Sequence, residues 1–282
     1  MAEALIGVVG GGTMGAGIAH VFALAGHRVI LVDLERAYLD RAVATIANNL
    51  ERQVKKESIS SAQKNAALAV IQTTTDYAAL APCRMVIEAV SENRDVKKQV
   101  LKQIDAVVAA ECIIASNTST ISITELAACV RSPERFIGMH FMNPVPMMEL
   151  VEVIAALQTA EQVTGEVVSL AERIGKKPVL VKDSPGFVLN RLLMPMINEA
   201  VYTLESGVAS AEAIDECLAL GAKHPLGPLA LADLIGLDIC LHVMEVLHAD
   251  FADSKYRPCP LLRRMVAAGY LGRKTGKGFF TY

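Results

Sequence analysis

No charge of one sign dominates this chain. Its 27 basic and 30 acidic residues leave a formal net charge of −3 over 282 residues, which argues against a nucleic-acid or polyanion binder. An anionic ligand must then be held by local groups. No two of the six cysteines (Cys83, Cys112, Cys129, Cys217, Cys240 and Cys259) form a C-x-x-C pair. A chain of this length does not need disulfide staples, so reduced thiols in a cytoplasmic setting are expected. No basic segment followed by an apolar stretch and a cleavage site opens the sequence. No uncharged apolar run approaches the roughly 18–20 residues that span a bilayer. No internal repeat or low-complexity segment is present. The expectation is a cytoplasmic, untargeted chain with no membrane partner, no nucleic-acid partner and no metal.

What is present points to a large core. Hydrophobic residues make up 52% and charged residues 20%, and the length accommodates two domains. Ala4-Leu-Ile-Gly-Val-Val9 reads as a buried parallel strand. Gly10-Gly-Gly12-Thr-Met-Gly15 follows, then an apolar helix with Gly26 as its stop, then a strand from His27 to Val32 ending at Asp33. Gly10 permits the tight turn, Gly12 lets a pyrophosphate approach the backbone, and Gly15 lets the helix pack closely on the strand. The helix start, with Thr13 and Met14 in the same turn, offers free amides and a positive dipole end to phosphates. Asp33 can accept hydrogen bonds from the adenosine ribose and repels a 2′-phosphate, which favours NAD over NADP. Arg36 works against that selectivity. A glycine motif alone is weak; strand, glycines, helix, strand and acid together predict a dinucleotide site.

Beyond Asp33 the pattern departs from a plain repeat. Residues 36–70 predict two successive helices with a break near 57–61. Strands are predicted at 69–71, 85–90, 112–115, 135–140, 149–153 and 178–181, with helices at 95–109 and 161–174. At Lys182-Asp-Ser-Pro-Gly-Phe187 the character changes to almost all helix: 187–206 with Pro195 inside, 215–220, 229–249 and 261–268. The expected fold is α/β: a doubly wound, mostly parallel, Rossmann-like sheet with a helical-hairpin insertion, plus a smaller all-α C-terminal domain. The boundary is set at 183, giving an NAD-binding domain (1–183) and a helical substrate and dimerisation domain (184–282). The second part is about 100 residues and strongly apolar, so a homodimer is expected.

A nicotinamide dehydrogenase needs a group that takes the hydroxyl proton while hydride leaves carbon, and histidine suits this. Among six histidines, His20 and His27 fall inside the first βαβ unit and read as structural. His242 and His248 lack a nearby acid, and His224 is ambiguous. His140 ends a strand before the irregular Phe141-Met-Asn-Pro-Val-Pro146. If the chain doubles back about Pro146, Glu152 comes opposite His140, where a carboxylate would fix the tautomer and stabilise the imidazolium. Ser116-Asn-Thr-Ser-Thr120 follows a strand end, where such sheets line their ligand crevice. Ser122 and Glu125 suit a capping box for a helix starting near Ile121. That leaves Asn117 and Ser119 for ligands, Asn117 for the cofactor. Asn190 sits in the first turn of the long helix, facing either solvent or the interdomain cleft. Lys55 and Lys56 suit a helix C-terminus on dipole grounds alone.

The chain resembles the 3-hydroxyacyl-CoA dehydrogenase family, of the bacterial 3-hydroxybutyryl-CoA type, over nearly its whole length. The motifs that carry the resemblance are Gly10-Gly-Gly-Thr-Met-Gly15, Ile87-Glu-Ala-Val-Ser-Glu-Asn93, Ser116-Asn-Thr-Ser119 and His140-Phe-Met-Asn-Pro-Val-Pro146, then Asp183-Ser-Pro-Gly-Phe-Val-Leu-Asn-Arg191, Pro225-Leu-Gly-Pro228 and Gly276-Lys-Gly-Phe-Phe280. The resemblance implies His140 as the general base in oxidation, Glu152 as its partner, and Ser119 and Asn190 on the reacting oxygen or the thioester. It places Glu92, Lys97, Asn143 and Lys274 near NAD, with Ser119 touching both ligands. Asn49 and Lys56 would meet coenzyme A, with Asn49 standing where some relatives have serine. Ala222-Lys-His224 departs from a smaller, glycine-containing stretch common in relatives. The implied reaction is hydride transfer from C3 of an L-3-hydroxyacyl-CoA to NAD, with dimerisation through the helical domain. The rivals are a dehydrogenase of free 3-hydroxy acids and a non-catalytic NAD-binding protein on the same fold.

Overall fold

The computed structural model describes residues 4–282. These divide into two compact units, the first ending at Ser184 and the second spanning Pro185–Tyr282.

The first unit is built on one eight-stranded sheet. Its strands are β1 (Leu5–Val9), β2 (Arg28–Val32), β3 (Ile71–Thr74), β4 (Met85–Glu88), β5 (Ile113–Ser116), β6 (Phe136–Phe141), β7 (Leu150–Ala155) and β8 (Lys177–Lys182). The order is β3-β2-β1-β4-β5-β6-β7-β8. All neighbours run parallel except β6 and β7. The first six strands follow the doubly wound order whose direction of winding reverses between β1 and β4, where ligands of such sheets bind. Parallel strands are covered on both faces, which is why β1 and β4 read as apolar runs.

The helices of this unit are α1 (Thr13–Leu24), α2 (Arg36–Lys55), α3 (Ser61–Ala69), α4 (Arg94–Val107), α5 (Ile123–Ala127) and α6 (Glu161–Arg173). Ile6, Val8, Ile18, Phe22 and Leu31 are fully buried between sheet and α1, each stabilising by about 1.5–3 kcal/mol. His20 lies buried within α1, and burial pushes its imidazole down to about 4, as suits a structural histidine. The helical hairpin α2–α3 forms as expected, with Ser60 and Gln63 making a complete capping box at the start of α3. The helix α3 extends as far as Ala69, so the third strand begins at Ile71 and not at residue 69. Ser122 caps α5 through the Glu125 amide, but the expected box is only half made. The Glu125 carboxylate reaches Lys98 (2.6 Å) and Arg94 (3.4 Å) instead.

The second unit is helical: α7 (Leu189–Glu205, with Pro195 inside), α8 (Ala211–Gly221), α9 (Pro228–Ile235), α10 (Leu237–Phe251) and α11 (Pro260–Ala267). The single helix expected over 229–249 is two helices. Gly236, at φ +108°, takes a backbone conformation that no helix contains and turns the chain between them. Asp215 accepts the Leu229 and Ala230 amides at 2.8 and 2.9 Å and so caps α9. Asp233, 1% exposed, accepts the amides of Phe279 and Phe280 (2.9 Å each) and the Tyr282 hydroxyl (3.1 Å). The glycine-rich motif at 276–280 is thereby fastened to α9. Gly278 belongs there because a β-carbon would collide with the Asp233 carboxylate.

Candidate active site

The glycine turn stands at the β1–β4 switch point. Gly10 has φ +108°, and a β-carbon on it would lie 2.6 Å from the Ala89 carbonyl oxygen. A β-carbon on Gly15 would overlap the Gly10 carbonyl oxygen, so the start of α1 closes directly onto the turn. Gly12 differs, because nothing lies within 4 Å of where its β-carbon would stand. It is the N-cap of α1, without a side-chain cap, and the first turn holds no acid. Open space, uncapped amides and a positive dipole end fit a pyrophosphate. Asp33 follows β2 and accepts the Gly11 amide (2.5 Å) and the Leu34 amide (2.6 Å), one on each oxygen. Both oxygens keep capacity for ribose hydroxyls. Arg36 pairs with Asp40 at 3.0 Å on an exposed face of α2. A cavity of about 250 Å³ adjoins the turn, lined by Gly11, Gly12, Thr13, Tyr38, Arg41 and Thr45 among others.

The loops after β4 and β5 are locked by a buried polar network. Lys97 is 1% and Glu88 0% exposed. Lys97 Nζ donates to Glu88 Oε1 at 2.7 Å and to the Val90 carbonyl at 3.2 Å. Ser116 Oγ donates to the other Glu88 oxygen at 2.6 Å. Beyond this core, Glu92 Oε1 accepts from the Thr118 hydroxyl (2.6 Å), the Ser119 amide (2.8 Å), and the Thr120 amide and hydroxyl (3.0 Å each). Its other oxygen lies 3.5 Å from Lys97 Nζ. Desolvation pushes the Glu92 carboxyl up, but Lys97 and these hydrogen bonds outweigh it, and the group sits below the usual carboxylate range. Glu92 therefore shapes the loop that presents Ser119, which is half-buried. Lys97 thus links Glu88 to Glu92 within one network.

His140 and Glu152 occupy one rung of the β6–β7 ladder. His140 is 5% and Glu152 2% exposed, and Nδ1 lies 2.8 Å from Oε2. Asn117 is turned inward. It is 7% exposed, and its Oδ1 accepts the Phe141 amide at 2.9 Å. It thus ties the end of β5 to the residue beside His140. Asn143 is exposed in the turn between β6 and β7.

The other expected residues lie on the helical hairpin and in the second unit. Asn49 is half-buried on α2, and Lys56 is exposed at its C-cap. In the second unit, Asn190 is half-buried in the first turn of α7, and Lys274 is paired with Asp238 at 2.6 Å. Three residues escaped the sequence reading. Glu88 and Ser116 form the heart of the buried network, and Asp183 accepts the Ser122 hydroxyl (2.7 Å) and the Thr124 amide (2.8 Å). An acid at the end of an apolar strand was the available signal for Glu88. Among the described residues, no group of three or more His, Cys, Asp or Glu is arranged to hold a metal, and no helix is long and apolar enough to cross a membrane.

Comparison with known proteins agrees over the whole length. Residues 5–184 match the NAD binding domain of 3-hydroxyacyl-CoA dehydrogenase, and residues 186–282 match the C-terminal domain of the same family. The chain is 51% identical to a 3-hydroxybutyryl-CoA dehydrogenase of Bradyrhizobium diazoefficiens, covering 98% of this chain and 94% of that protein. It is 40% identical to the human mitochondrial hydroxyacyl-coenzyme A dehydrogenase, covering 98% and 90%. Its structure superposes on the crystal structure of (S)-3-hydroxybutyryl-CoA dehydrogenase from Ralstonia eutropha with a TM-score of 0.97. That pair shares 55% identity, covering 100% of this chain and 99% of the other.

Proposed function

Because the chain belongs to the 3-hydroxyacyl-CoA dehydrogenase family, we propose that His140 takes the 3-hydroxyl proton of an L-3-hydroxyacyl-CoA as the substrate is oxidised to the 3-ketoacyl-CoA. The enzyme is NAD-dependent, and the reaction runs in both directions. A short acyl chain, as in 3-hydroxybutyryl-CoA, is the substrate class that the relatives' names support. The observation that carries the assignment is the buried 2.8 Å contact between His140 Nδ1 and Glu152. With Nδ1 committed to the carboxylate, Nε2 is the nitrogen that receives the proton, and Glu152 stabilises the imidazolium that results. Bound NAD supplies the hydride acceptor. Gly10, Gly12, Thr13, Met14, Gly15 and Asp33 hold its ADP half, while Glu92, Lys97, Asn117, Asn143 and Lys274 serve its nicotinamide side. Ser119 and Asn190 hydrogen-bond the reacting oxygen or the thioester, and Asn49 and Lys56 meet coenzyme A. Proximity and acid–base catalysis together account for most of the rate.

The first unit serves as the cofactor domain and the second as the substrate and dimerisation domain. Exposed Leu192, Val208, Leu220 and Leu234 on the second unit support a homodimer, which light scattering would test. Six free cysteines support a cytoplasmic setting. The deciding experiment follows NADH absorbance with acetoacetyl-CoA against free acetoacetate. Consumption only with the thioester is expected. Equal rates would favour a dehydrogenase of free acids.

A further inference from the structure

Lys176 has no part in the mechanism above, yet it is 7% exposed. It lies between α6 and β8 and forms no ion pair with a carboxylate among the described residues. Its ammonium donates instead to two backbone carbonyls, Val145 at 2.5 Å and Met148 at 2.8 Å. Burial pushes the Lys176 amine down, with Glu149 acting in the opposite direction. An ammonium is expensive to bury without a counter-charge. A methionine would fill similar space at less cost. The charged group therefore has one visible task, which is to hold those two carbonyls.

Both carbonyls belong to the turn that joins β6 to β7. The turn is gripped by α1 as well. Val145 is 2% exposed and packs on α1 at Gly17, where a β-carbon would lie 2.8 Å from Val145 Cβ. His140 and Glu152 do not need this grip, because the ladder fixes them. Asn143 does. It precedes Val145 by two residues, is exposed, and belongs to neither strand.

We propose that Lys176 is a positioning residue that clamps the β6–β7 turn so that Asn143 meets the nicotinamide half of the cofactor. The inference rests on the reading of Asn143 as a cofactor contact. A clamped turn presents the amide already in place, which avoids ordering a loop when the cofactor arrives.

The test compares K176M, K176R and N143A with wild type, reading kcat for acetoacetyl-CoA reduction and the affinities for NADH and for ADP-ribose. K176M and N143A are each expected to lower kcat about tenfold or more and to weaken NADH, leaving ADP-ribose within about twofold. K176R keeps donors for the carbonyls and is expected to recover most of the kcat. A wild-type K176M beside a damaged N143A would overturn the proposal alone. A wild-type N143A would overturn the reading of Asn143 and the proposal with it. Loss of ADP-ribose affinity in K176M in step with kcat would mean general loosening and would also overturn it. Should K176M fail to fold, G17A crowds the same turn from α1 while improving helix propensity. It is expected to lose kcat in the same way, and a folded G17A with wild-type kcat would overturn the clamp.

Discussion

Glu152 stands directly across an antiparallel rung from His140, so twelve residues of sequence reduce to a 2.8 Å contact. Because strand pairing sets the backbone register, the remaining partner stays in place when the other side chain is replaced. His140→Ala is expected to cut kcat by about 10²–10⁴-fold while NAD affinity stays near wild type. Glu152→Gln should lose much of the same rate, because the amide cannot stabilise an imidazolium. Steady-state kinetics with fluorescence titration of NADH checks both. A His140→Ala enzyme with near-normal turnover would remove the base assignment.

Asp33 carries the cofactor preference. Asp33→Ala removes the charge that repels a 2′-phosphate, and the ratio of kcat/KM for NADP over NAD is expected to rise by about tenfold or more. An unchanged ratio would show that selectivity is set elsewhere.

Lys97 is the test of the buried network. Lys97→Met leaves Glu88 as an uncompensated charge in a fully buried position. The expected loss is about 3–5 kcal/mol of folding stability by urea denaturation. Lys97→Met with wild-type stability would mean that the Glu88–Lys97 ion pair does not hold this network together.

Glu92 makes stability depend on pH. Its carboxyl sits below the ordinary value of 4.5 in the folded protein. The stabilisation it gives is fully present above that value, and it is lost as pH falls through the lowered one. Wild type should therefore melt higher than Glu92→Gln at neutral pH, and the gap should close on acidification below pH about 4.5. A gap independent of pH would place the stabilisation outside the charge on Glu92.

The sequence revealed the features that depend on local pattern. The glycine turn, Asp33 and the alternation of strands and helices were legible because strand–turn–helix geometry dictates residue type at fixed spacing. His140 and Glu152 were legible because a turn about Pro146 makes their separation meaningful. Polar residues whose partners lie far along the chain were not legible. Asn117 read as a candidate ligand residue, but its bond to the Phe141 amide, which ties β5 to β6, was not visible. Glu88 looked like part of an apolar strand, and only the packing of α4 brings Lys97 beneath it. The break at Gly236 was hidden by apolar residues that suit helix on both sides of it.

The fastening of residues 279–280 to Asp233 has a consequence for the order of events during synthesis. Phe279 is added 46 residues after Asp233, a delay of roughly 2–9 s at about 5–20 residues per second. Until then the carboxylate at the centre of the helical unit has no amide to accept. The sheet unit, complete by Ser184, can be folded while translation continues. The helical unit cannot complete these contacts until Phe280 has been synthesised, whereas the sheet unit can reach its native packing before then.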